Sequence, residues 1–137
     1  MIELFKNKLI GIFCGGDSQE RDISILSGLN IESALNNLGY NTIKIDPSLD
    51  TFTNQTFDIA FLCLHGPGYE DGKIQSLLES KKIPYTGCGI NASQIGMSKL
   101  KTKELCLKHN LPTPKYELIK SSLKNLPRGL AFPVILK

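Results

Sequence analysis

Leu9-Ile10-Gly11-Ile12-Phe13-Cys14 runs directly into Gly15-Gly16-Asp17-Ser18-Gln19-Glu20-Arg21-Asp22-Ile23-Ser24, an apolar segment followed by a turn rich in glycines, hydroxyls and charges. It reads as a buried strand over 9–14 feeding a helix through a polar turn. In parallel α/β proteins such a junction is where ligands sit, because the helix N-terminus offers unpaired backbone N–H groups and glycines let a ligand approach the main chain. Glu20 does not fit an anion cradle, and a carboxylate there suits a ligand that carries a positive group, such as an amine. The plainer alternative has Ser18 capping the helix, Glu20 in its favourable first turn, and Arg21 and Asp22 solvated.

Outward from this turn, Ile31, Ala34, Leu35 and Leu38 recur at helical spacing, and Gly39 stands where a C-terminal cap belongs. The spacing predicts a helix from about Asp22 to Leu38. Thr42 to Ile45 reads as a second strand stopped by Asp46-Pro47, and a polar connector with Thr51, Thr53, Asn54, Gln55 and Thr56 leads to a third strand over Ile59 to Leu64. This β-α-β order argues for a parallel sheet. The third strand ends in His65-Gly66-Pro67-Gly68-Tyr69-Glu70-Asp71-Gly72, a second glycine-rich turn. Loops after successive strands of a right-handed βαβ unit share one sheet edge, so the 15–24 and 65–72 turns are expected to face one crevice.

Ile74, Leu77 and Leu78 predict a short helix, Ile83-Pro84-Tyr85 a short strand and Gly87-Cys88-Gly89 a tight turn, completing a first domain over 1–90. Ala92, Ile95 and Met97 mark another short helix, and a further one begins near Ser98 and ends before Asn110. Beyond Leu111-Pro112-Thr113-Pro114, strands are expected over Tyr116 to Ile119 and Phe132 to Lys137, with a polar loop from Lys120 to Gly129 between them. An apolar strand at 132–137 without a partner of its own reads as the opening of a second domain, 91–137.

The 137 residues, 41% hydrophobic and 21% charged, describe an ordinary globular domain and exclude disordered and collagen-like chains. A formal charge of +3, from 16 basic and 13 acidic residues scattered along the chain, does not argue for nucleic acid. Cys14, Cys63, Cys88 and Cys106 form no Cys-x-x-Cys pair and have only His65 and His109 to help them, so no metal site is expected. Cysteines in apolar strands fit a reducing cytoplasm, and neither a signal peptide nor a membrane-length apolar run is evident.

His65, at a strand end beside glycines and with Glu70 and Asp71 close in sequence, is placed to donate a hydrogen bond to an anionic group. It could equally be a surface histidine that begins a turn, with Glu70 and Asp71 capping the next helix. Glu20 for an ammonium and His65 for a carboxylate would together recognise a zwitterion, an amino acid or small peptide. Lys99 and Lys137 are candidates for phosphate oxygens, against the usual solvated lysine. No Gly-x-x-x-x-Gly-Lys-Ser/Thr, no Gly-x-Gly-x-x-Gly after the first strand and no Gly-x-Ser-x-Gly elbow occurs.

Gly15-Gly16-x-Ser18-x-Glu20-Arg21-x-Ile23-Ser24-x-x-Ser27-Gly28, then His65-Gly66 with Glu70-Asp71-Gly72, then Pro84-Tyr85-Thr86-Gly87-x-Gly89 occur in one order that resembles the D-alanine–D-alanine ligases of the ATP-grasp superfamily. Met97-x-Lys99 with Lys103, Leu111-Pro112 and Phe132 to Lys137 extend the resemblance over almost the whole chain. The resemblance implies an α/β fold with a parallel Rossmann-like (pre-ATP-grasp) sheet flanked by helices, followed by the beginning of an ATP-grasp domain. It implies ATP-dependent joining of two D-alanines for peptidoglycan through an acyl phosphate, with Mg2+ on the phosphates, in a cytoplasmic enzyme that is a homodimer. Glu20 matches the binder of the first D-alanine's ammonium and His65 the histidine near its carboxylate and the acyl phosphate. Ser24 and Gly66 fall with the substrate contacts, Glu70 supports the His65 loop, and Lys99 and Lys137 match lysines that contact ATP.

The chain departs from the family pattern at Tyr69, where glycine is usual, and at Asp17, where a small or hydroxyl residue is commoner. In the family the phosphate loop, the lid, the catalytic arginine and the magnesium carboxylates come later than the position matching Lys137, so this chain alone is expected not to ligate. Two alternatives remain: a stand-alone module that binds an amino acid or a partner chain without catalysis, and a ligase of D-alanine–D-lactate type.

Overall fold

The computed structural model describes residues 5–49, 52, 56–119 and 129–135. They divide into two compact units, Met1–Met97 and Ser98–Lys137. The division falls one helix later than the expected 90/91 junction.

The first unit is built on strand β1 (Leu9–Phe13), helix α1 (Arg21–Asn37), and strands β2 (Asn41–Ile45) and β3 (Ile59–Leu62). All three strands are parallel, in the order β2-β1-β3, with Ile10 beside Thr42 on one side and Ile59 on the other. Alternate residues of β1 therefore serve opposite faces. Phe13 joins Ile45, Phe52, Ala60 and Leu64 on one face, closed by Ile74 and Leu78 of helix α2 (Lys73–Ser80). Ile12, Cys14 and Cys63 form the other face, under Ile31 and Leu35 of α1. Helix α3 (Ile90–Met97) completes the unit.

Close approach of α1 to β1 depends on Gly28, since a Cβ there would lie 2.5 Å from that of Cys14. The helix ends at Gly39, whose left-handed φ of +81° suits glycine and whose N–H bonds the carbonyl of Asn36. The α/β class with a parallel, helix-flanked sheet is thus as expected, while the strand over Ile83 to Tyr85 shrinks to a single bridge, Tyr85 to Ala60. Pro84 has no N–H to extend a ladder, and the Leu62 N–H bonds the Thr86 hydroxyl instead of a backbone carbonyl.

In the second unit, helix α4 (Lys99–Lys108) is capped by Ser98, whose hydroxyl accepts from the Lys101 N–H. The Lys103 ammonium donates to Thr113 Oγ1 (3.1 Å) and the Pro114 carbonyl (2.8 Å) and lies 5.0 Å from the centre of the Tyr116 ring, fixing the segment after the helix. The strand expected over Tyr116–Ile119 is absent: residues 111–119 form no regular element, and neither do 132–135. Isolated extended segments have no ladder to join, and among the described residues of this unit no strand is available as partner. Leu136 and Lys137, the end of the strand expected over 132–137, lie outside the described residues. So do Thr51, Thr53, Asn54 and Gln55 of the connector and positions 120–128 of the polar loop. Among the described residues no helix is long and apolar enough to cross a membrane.

Candidate functional site

The crevice is formed at the carboxyl ends of β1 and β3. Gly15 and Gly16 both take left-handed φ values, +91° and +78°, and turn the chain sharply out of β1. Asp46, at the end of β2, holds that turn: its Oδ1 accepts from the N–H groups of Gly16 and Ser48, both at 3.0 Å, and from the Ser48 hydroxyl at 2.7 Å. Its Oδ2 pairs with the Arg21 guanidinium at 2.6 Å. Burial alone would raise the Asp46 pKa, but the guanidinium and the Gly16 and Ser48 donors outweigh it and hold the carboxyl well below the usual range. Arg21 also donates to the Gly16 carbonyl and the Ser48 hydroxyl. The solvated Arg21 of the plainer sequence alternative is therefore corrected: its guanidinium is turned into the strand ends.

That leaves Glu20 exposed and without this neighbouring cation. It occupies the N-cap of α1, yet its side chain caps nothing, and among the described residues its carboxylate has no hydrogen-bond or ion-pair partner. It lies against the second loop, where a Cβ on Gly66 would come within 3.0 Å of Glu20 Oε2. Ser18 ties the two loops together: its hydroxyl donates to the His65 carbonyl (2.7 Å) and accepts from the Glu20 N–H (3.1 Å). The structure thus brings Glu20, His65, Gly66 and Glu70 to one place.

The 65–72 loop is stapled by its own acids. Glu70 Oε2 accepts the Gly66 N–H at 2.9 Å, while its Oε1 lies 3.8 Å from His65 Nδ1. Asp71 accepts from the N–H groups of Gly68 (3.0 Å) and Lys73 (3.2 Å). Burial pushes its carboxyl up, but those two N–H groups and the Lys73 ammonium outweigh it and leave it below the ordinary value. Gly72 occupies the N-cap of α2, and Asp71 takes the first N–H of that helix, as the plainer alternative had it, whereas Glu70 bonds within its own loop. On its other side the half-buried His65 ring places Nε2 3.4 Å from Ser27 Oγ. The Ser27 proton goes to the Ile23 carbonyl (2.8 Å), so its oxygen is left to accept an Nε2–H.

Ser24 has a different place from the one expected of a ligand contact. It is fully buried; its hydroxyl accepts the Gly15 N–H at 2.9 Å and donates to the Cys63 carbonyl at 2.8 Å, joining the roots of both loops. A fully buried hydroxyl has no surface to offer a ligand. Lys99 begins α4 and is exposed in the second unit, and Lys137 lies outside the described residues. Sequence reasoning missed Asp46, read only as a strand stop; the available signal was an acid at the carboxyl end of the strand beside a glycine turn. It also missed Ser27, which only the helix geometry brings to His65.

Among the described residues no group of three or more His, Cys, Asp or Glu is placed to hold a metal ion. All four cysteines are free, and burial pushes the Cys63 thiol up to about 11.

A family model described as "D-ala D-ala ligase N-terminus" matches residues 45–88, from the end of β2 through the His65 loop and α2. The chain is 41% identical over 133 residues to a D-alanine–D-alanine ligase of Bordetella avium, covering 93% of this chain and 42% of that protein. With the corresponding ligase of Carboxydothermus hydrogenoformans it shares 46% identity over 110 residues, 78% of this chain and 35% of the relative. The crystal structure of the Bacillus anthracis D-alanine–D-alanine ligase complexed with ATP superposes with a TM-score of 0.74 at 33% identity, over 88% of this chain and 43% of that one. A Vibrio cholerae D-alanyl-alanine synthetase A gives a TM-score of 0.73 at 26% identity, over 85% and 41%. The chain therefore spans about two fifths of the length of these relatives. Sequence and fold together match it to the N-terminal portion of the D-alanine–D-alanine ligases.

Proposed function

We propose that this chain supplies the first-substrate half of an ATP-dependent D-alanine–D-alanine ligase, a cytoplasmic, homodimeric enzyme of peptidoglycan synthesis. The observation that carries the reading is the Glu20 carboxylate, without a partner among the described residues and set against the His65 loop, with Arg21 drawn away to Asp46. A carboxylate so placed attracts an ammonium and leaves the opposite end of a zwitterion for a hydrogen-bond donor. Glu20 holds the amine of the first D-alanine, and the substrate's carboxylate lies toward the 65–72 loop, where the His65 ring is flanked by Ser27 and Glu70. In the reaction, a carboxylate oxygen attacks the γ-phosphorus of ATP and ADP departs. The amine of a second D-alanine then attacks the acyl carbon, phosphate leaves, and the amine gives up a proton. The chain's own part is to bind, orient and shield the first substrate. Lys99 contacts ATP in this reading. The described residues offer no ligand set for Mg2+, and no step is assigned to it.

Two measurements test the proposal. Titrating D-alanine into the 137-residue chain should shift the His65 and Gly66 NMR resonances, and Glu20→Gln should weaken binding about tenfold through loss of a charge-assisted hydrogen bond. Undiminished binding by that variant would remove Glu20 from the site. A coupled ADP-release assay with D-alanine, ATP and Mg2+ should show no turnover by this chain alone; turnover would overturn the view that it provides only half of the site.

A further inference from the structure

Asp17 and Tyr69, one side chain from each crevice turn, meet across the crevice. Tyr69, in the His65 loop, donates its hydroxyl proton to Asp17 Oδ1 at 2.8 Å and accepts the Asp17 N–H at 3.2 Å. Its ring lies on the Gly16 backbone, so that a Cβ on Gly16 would fall 2.6 Å from ring atom Cε2. The Tyr69 main chain is fixed within its own loop: its N–H bonds the Gly66 carbonyl at 3.2 Å, and its carbonyl accepts from Gln75 Nε2 at 3.3 Å. The contact therefore transmits position between loops. Asp17 stands three residues before Glu20, and Tyr69 four residues after His65.

From this geometry we propose that Tyr69 and Asp17 are a positioning pair, which clamps the 65–72 loop onto the 15–20 turn and sets the gap between Glu20 and His65 before substrate arrives. The inference rests on the reading of Glu20 and His65 as the two ends of an amino-acid site. The Ser18 to His65 bond holds the loops at their base, and the tyrosine holds them farther along, so that neither loop can swing independently. A site that needs no ordering on binding loses less affinity to conformational entropy. A hydrogen-bonded pair is also expected to act as a unit, with non-additive effects on removal.

The test uses the full 137-residue chain, with D-alanine as probe and amide hydrogen exchange as a second, ligand-free readout. Tyr69→Phe keeps the ring and removes only the hydroxyl; it should weaken D-alanine binding about tenfold, in the range of a hydrogen bond to a charged group. Asp17→Ala should do the same, Asp17→Asn should restore binding because its amide oxygen can still accept, and the double variant Tyr69→Phe/Asp17→Ala should be no weaker than either single. A Tyr69→Phe chain that binds D-alanine as tightly as the parent, or additive losses in the double variant, would overturn the proposal. Should the parent chain bind no D-alanine, the amino-acid site itself is refuted, and the pair is then judged by exchange alone. Faster exchange in Tyr69→Phe at the Asp17 amide together with those of Gly66 and Gly68 supports the clamp; unchanged exchange at Gly66 and Gly68 overturns it.

Discussion

Asp46 shows how much of this crevice depends on a residue that no ligand need touch. Its carboxylate gathers Gly16, Ser48 and Arg21 at once, and a Cβ on Gly15 would collide with it. Because its folded pKa lies below the unfolded value, its contribution to stability is present above the ordinary carboxylate pKa and is lost as pH falls through the folded one. Asp46→Asn should therefore cost about 1–3 kcal/mol in chemical denaturation at pH 7, and the difference from the parent should shrink steadily once the pH drops below about 4. Glu20 was legible as an oddity because charge type alone marks it, and His65 because it stands among glycines at a strand end with acids close behind. Asp46, Ser27 and the Tyr69 contact with Asp17 were not, since each depends on which side chains a parallel sheet places side by side.

At the scale of elements, apolar periodicity carried most of the information. Helix α1 and strands β1, β2 and β3 fall within a residue or two of the segments read from spacing, and Ser98 caps α4 where the helix was expected to begin. Strand propensity misled at 116–119, where β-favouring side chains have no strand to pair with among the described residues of their unit. The seam between α1 and β1 is a tight one, and glycine is what permits it. Gly28→Ala should destabilise the chain by about 1–3 kcal/mol, because neither Cys14 nor the helix backbone can yield without opening the seam. Gly96→Ala in α3, where the added methyl would meet nothing outside its own helix among the described residues, should instead stabilise by up to about 1 kcal/mol. Thermal melts of the two variants compare them directly, and a destabilised Gly96→Ala would show that helix propensity does not govern α3.

For the whole molecule, the α/β class and the parallel sheet could be read from the order of elements, whereas the placement of the division after Met97 could not. Residues 90–97 carry the same short helical pattern as those that follow, and only packing decides that α3 belongs with the first unit. The same limit applies to Ser24, which in sequence is one more hydroxyl in a polar turn. In three dimensions its one oxygen links Gly15, just beyond β1, to Cys63, just beyond β3. The roots of both crevice loops should consequently open and close as one cooperative unit rather than fraying separately. Native-state hydrogen exchange would report this as a shared opening free energy for the Gly15 and Cys63 amides. Ser24→Ala should lower both together by about 1–3 kcal/mol, the cost of stranding a buried N–H and carbonyl. An unequal drop would mean that each loop keeps its own rhythm; an equal one would make a single buried hydroxyl the hinge pin on which both walls of the crevice are hung.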